Sequence, residues 1–87
     1  MKLIFAILHD HDADPVTQGL TAAGFRVTRV ASTGGLLRRG TTTLFIGVDD
    51  DQVDSAISVM REKCAPSDGT EKRATVFVTK VDRFTQV

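Results

Sequence analysis

A chain of 87 residues, 41% hydrophobic and 25% charged, has the balance of one small globular domain rather than a disordered chain. Its eleven basic and eleven acidic residues cancel, which excludes the basic excess that sequence-independent binding to nucleic-acid polymers requires. A single cysteine excludes an internal disulfide framework and a thiolate metal cluster.

Leu3 to Leu8 is apolar at every position, as in a strand buried on both faces. It is too short to cross a bilayer. After Met1-Lys2 it imitates a signal peptide only briefly, because His9-Asp10-His11-Asp12 ends it and no small-residue cleavage site follows. The expectation is a cytoplasmic protein with no membrane partner. His9 to Asp14 reads as a polar connection. Asp14-Pro15 then predicts a helix start, with Asp14 capping free N–H groups and Pro15 at the first helical position. Val16, Leu20 and Ala23 form one apolar stripe, and Gly24 suits a left-handed terminator.

Phe25 to Ala31 predicts a second strand, with Arg26, Thr28 and Val30 on one face and Phe25, Val27, Arg29 and Ala31 on the other. Ser32 to Gly40 is a glycine-containing loop, and Thr41 to Val48 a third strand. Asp49-Asp50-Asp51 places negative charge at the positive end of a second helix. In that helix Val53, Ala56, Ile57, Met60 and Cys64 share one stripe. Ala65 to Lys72 is a turn-rich linker, Ala74 to Val81 a final strand, and Asp82 to Val87 a short tail.

The order β-α-β-β-α-β predicts an α+β, ferredoxin-like sandwich over residues 1–87, with a four-stranded antiparallel sheet and both helices on one side. The strands carry apolar residues on both faces, so the second face needs cover, and neighbouring subunits supply it most economically. A folded chain of this size buries only about 60% of its unfolded surface, which points the same way.

The segment Ser32 to Gly40 concentrates the chemistry. Gly34-Gly35 permits positive φ and an anion nest of backbone N–H groups, and Arg26, Arg38 and Arg39 supply charge. Leu36 and Leu37 offer apolar surface to a nucleobase. The plainer alternative is a strand-to-strand loop with a solvated arginine pair. No Gly-Lys-Ser/Thr element is present, so a phosphate loop of the nucleotidase type is not expected.

His9-Asp10-His11-Asp12 invites a metal reading. A calcium loop is excluded, because Pro15 stands where glycine is required and Thr21 where the terminal acid is required. A strand end followed by helix-favouring acids explains the same residues. Asp49-Asp50-Asp51 with Asp54 has the same two readings, Mg²⁺ or helix charge. Cys64 completes an apolar stripe and reads as core. No triad or paired-glutamate arrangement stands out, so no enzyme, metal or cofactor is expected.

The block Phe25-Arg26-Val27-Thr28-Arg29-Val30-Ala31-Ser32-Thr33-Gly34-Gly35-Leu36-Leu37-Arg38-Arg39-Gly40-Thr41-Thr42-Thr43 resembles the cyclic di-AMP receptors of the PII-like superfamily. So do Asp10-His11-Asp12 after the first strand, Gly47-Val48-Asp49-Asp50-Asp51-Gln52-Val53-Asp54, and Val81-Asp82-Arg83-Phe84-Thr85-Gln86. The likeness runs over nearly the whole chain. It implies a PII-like homotrimer that binds cyclic di-AMP in clefts between subunits, signals without catalysis, and reports to a downstream protein partner that the sequence does not name. Carried over by position, Arg26 would lie near a phosphate and Thr28 near an adenine. Gly35, Leu36 and Leu37 would supply loop contacts and a surface for the base. Gly47 would let the ligand approach the third strand, and Gln86 would reach an adenine edge.

The chain departs from that pattern in three places. Leu36 stands where an aromatic residue is usual, which weakens base stacking. Thr41 stands where Asn is usual, and Thr cannot pair bidentately with an adenine edge. Only Ala65 to Lys72 fills the place of a long loop. Two alternatives follow: a PII-like module for another adenine nucleotide such as ATP or ADP, and an interaction trimer with an empty pocket.

Overall fold

A computed structural model describes residues 1–31, 40–64 and 74–87. The elements run β1 (Lys2–His9), α1 (Asp10–Ala22), β2 (Arg26–Ala31), β3 (Thr41–Val48), a short 3-10 turn (Asp50–Gln52), α2 (Val53–Lys63) and β4 (Ala74–Lys80). The sheet order is β2-β3-β1-β4, and all three pairings are antiparallel. This is the α+β arrangement expected from the element order.

Strand alternation divides the sheet into two unlike faces. On the helix side, Ile4 faces Ile46, Ala6 faces Leu44 and Leu8 faces Thr42. These six residues are buried, together with Val16 and Leu20 of α1 and Ala56 and Met60 of α2. Cys64 is buried at the end of that core, in agreement with the stripe in its helix. Asp82 to Val87 follows β4 as an exposed, irregular segment.

The first helix starts one turn earlier than Asp14-Pro15 predicts. Asp10 is its first residue, and Pro15 lies inside it. Two contacts to the β3 end of the sheet explain the shift. The Asp10 amide donates to the Gly40 carbonyl at 2.8 Å, and the Thr42 hydroxyl donates to the Asp10 carboxylate. Both fix the chain in helical register at Asp10, before the local Asp-Pro signal is reached. Pro15 has no amide to offer the His11 carbonyl. Burial of the apolar Ala13, Val16 and Leu20 on this helix offsets that loss. Asp14 is therefore a helical surface residue, and its carboxylate pairs with Arg29 of β2. Gly24 ends the unit with a φ of +92°, as a left-handed terminator should.

The two helices meet closely at Gly19. A Cβ there would lie 2.8 Å from Lys63 Cγ and 3.2 Å from Val59 Cγ1. Lys63 can swing away, but branched Val59 is held in its rotamer. Gly19→Val is accordingly expected to destabilise the fold by about 1–3 kcal/mol, because overpacking separates α1 from α2. Urea unfolding of the two proteins, compared at equal m-value, measures this directly.

Candidate functional site

The helix-free face of the sheet is built in rows, because each register partner on it repeats across all four strands. The central row is Thr28, Phe45, Phe5 and Phe77. Phe5 and Phe45 meet edge to face, with ring centroids 4.8 Å apart and an interplanar angle of 83°. Three of the five phenylalanines thus line one stripe. Phe77 remains 57% exposed and Val30 in the neighbouring row 42%. Phe84 of the terminal segment is exposed as well. Among the described residues, neither helix covers this side.

One end of this face carries a different chemistry. Arg26 stands opposite Gly47, and Gly47 stands opposite Leu3. Arg26 is exposed, and among the described residues no carboxylate pairs with it. Arg29, three positions along and on the other face, is already committed to Asp14. Alternation therefore sorts the two strand arginines: one neutralised against α1, the other presented beside a residue with no side chain. Thr28 is the next residue on the same face, opposite Phe45. A guanidinium, a hydroxyl, a glycine and an aromatic ring within two adjacent rows suit a ligand with phosphate and a flat base.

Of the residues singled out from sequence, Arg26, Thr28 and Gly47 are brought together. Thr41 lies on the same face but six positions from Gly47. At about 3.4 Å per residue the two are roughly 20 Å apart. Thr41 pairs with His9 at the end of the sheet where Asp10 contacts Gly40. Gln86 lies in the exposed segment after β4. Among the described residues it makes no hydrogen bond to Arg26 or Thr28. That segment leaves the sheet at the Arg26–Gly47 end, where the Val81 amide donates to the Met1 carbonyl at 3.1 Å. Gly35, Leu36 and Leu37 lie outside the described residues.

Two contributors were not singled out from sequence. Phe45 is the register neighbour of Thr28, and counting back two residues from Gly47 identifies it. Met1 is the other. Its amine is 2.8 Å from the Asp50 carboxylate, and its methyl group lies over Gly47. Hydrogen bonding to that ammonium, reinforced by its charge, lowers the Asp50 pKa from the usual carboxylate value. The Asp50 carboxylate of the pair is therefore ionised at neutral pH and is lost on the acid side as Asp50 protonates. No sequence pattern signals this contact, because it depends on where the sheet end brings the 3-10 turn.

The aspartate–histidine run spans the end of β1 and the start of α1. The His9 and His11 rings stack with centroids 5.4 Å apart, and His11 Nε2 lies 3.6 Å from Asp12 Oδ1. Among the described residues, no three His, Cys, Asp or Glu side chains converge as metal ligands. No helix among them is long and apolar enough to cross a membrane.

The architecture and this face together define a ferredoxin-like α+β module with an open, partly aromatic sheet surface. The family model for the cyclic di-AMP receptors matches residues 1–73, and the chain belongs to that family. The match covers Arg26, Thr28, Thr41 and Gly47 and ends before β4 and Gln86. Among solved structures, the chain is similar to a functionally unknown protein from Pediococcus pentosaceus ATCC 25745. The identity is 27%, with a TM-score of 0.82, over 99% of this chain and 96% of that one.

Proposed function

We propose that this protein is a non-catalytic cytoplasmic receptor that binds cyclic di-AMP between the subunits of a homotrimer. The observation that carries the reading is the Arg26–Gly47 pair beside Thr28 and Phe45 on the helix-free face. Arg26 offers a phosphate two parallel N–H donors with no competing carboxylate among the described residues. Gly47 brings no side chain of its own to the row beside Arg26, and the Thr28 hydroxyl can donate to or accept from a base edge. Self-association supplies the missing cover for Phe5, Phe45 and Phe77. It also provides a second wall for a ligand lying over an otherwise open sheet. The family membership supports the choice of cyclic di-AMP.

Isothermal titration of the folded protein with cyclic di-AMP tests this reading. Saturable heat at one ligand per subunit is the expected result. Absence of heat with folded protein overturns it. Stronger binding of ATP or ADP in competition redirects it to a mononucleotide.

A further inference from the structure

The Arg26–Gly47 end of the sheet has a wall that comes from the first residue of the chain. A Cβ built on Gly47 would lie 3.1 Å from Met1 Cε. The methionine methyl therefore occupies the space above the glycine, on the face that carries Arg26. This agrees with alternation carried one residue beyond β1, since Met1 precedes Leu3 by two positions. The Met1 backbone is tied at both sides, its carbonyl by the Val81 amide at 3.1 Å and its amine by Asp50 at 2.8 Å. Yet the residue remains 46% exposed. One side of the side chain packs on the glycine that is the register partner of Arg26, and the rest is open on the same face.

We propose that Met1 is a ligand-contacting residue of the cyclic di-AMP site, and that Gly47 contributes chiefly by seating its side chain. This rests on the reading of the Arg26 face as the nucleotide site. The chemistry is complementary: Arg26 takes the phosphate, and the polarisable thioether packs against the flat adenine. Sulfur–aromatic contacts are favourable, and an unbranched side chain adapts to the ring it meets. Asp50 does not reach the ligand. It is a positioning residue that holds Met1 in place.

Titration of cyclic di-AMP into full-length variants, each released from an N-terminal fusion that leaves no added residue, tests the proposal. Met1→Ala is expected to weaken binding about five- to tenfold. Met1→Leu should recover most of that loss, because it restores apolar bulk. The decisive measurement is a double-mutant cycle. Gly47→Ala should weaken binding about fivefold in the wild-type background and less than about twofold in the Met1→Ala background. Asp50→Asn should follow the same pattern with a smaller effect. Circular dichroism and thermal midpoints confirm that each variant is folded.

An equal loss from Gly47→Ala in both backgrounds would mean that the glycine meets the ligand directly, and would overturn the proposal. So would unchanged or tighter binding in Met1→Ala, while Arg26→Ala still loses binding; in that case the site reading stands and the Met1 assignment alone fails. Absence of binding by the wild-type protein removes both.

Discussion

Arg26→Ala is expected to weaken cyclic di-AMP binding by about 10- to 100-fold, the range a charge-assisted hydrogen bond of roughly 1.5–3 kcal/mol supports. The geometry places the loss at the ligand and not in the fold. Arg26 is exposed on the helix-free face, and among the described residues it holds no ion pair. Its removal should therefore leave the unfolding free energy within about 0.5 kcal/mol of the wild type. Arg29→Ala is the matching control. It also removes a β2 arginine, but one already paired with Asp14 on the helix face. That pair is a surface ion pair, worth at most about 1 kcal/mol. Calorimetric titration of the three proteins separates the cases: affinity falls for Arg26→Ala and holds for Arg29→Ala. Equal losses from both would show that the ligand responds to net charge and not to this face. Arg26→Lys should restore the charge without the planar fork, and so only part of the affinity.

Phe77→Asp is expected to convert the proposed trimer to single subunits. Phe77 closes the row Thr28–Phe45–Phe5–Phe77 and is 57% exposed in the isolated chain. In one subunit an aspartate there remains in water, so folding is little affected. In an interface the same carboxylate would be buried, at a cost of several kcal/mol per ion. One such charge from every subunit exceeds what a small apolar contact offsets. Sedimentation equilibrium reads the outcome as a mass. Three chains for the wild type and one for the variant are expected, with the far-ultraviolet spectrum preserved. A variant that keeps the wild-type mass would show that subunits meet through another surface.

The strands and the second helix were legible because their periods differ. Alternation in Arg26 to Ala31 and Thr41 to Val48 specifies which residues share a face, and the observed register preserves it. The start of the first helix was not legible. Asp14-Pro15 is a strong local signal, but Gly40 and Thr42 reach Asp10 from more than two dozen residues downstream in sequence. No short window contains that competition. The candidate site divides the same way. Arg26, Thr28 and Gly47 lie on two strands whose pairing brings them together, so face assignment sufficed. Met1 over Gly47 required the pairing of β1 with β3 and the position of the Asp50 turn. Thr41 lies inside the family block but departs from its usual Asn, and its six-residue separation from Gly47 was already implied by the predicted strand Thr41 to Val48, which the fold reproduces.

That separation has a thermodynamic consequence. A ligand lying over Arg26 and Gly47 sits at one end of this face, with Thr41 at the other end of β3 roughly 20 Å away at the rise of an extended chain. If a ligand takes Arg26 from one copy and Thr41 from another, it bridges them. Ligation and association are then linked equilibria: each tightens the other by the same factor, and the ligand raises the thermal midpoint most in dilute protein.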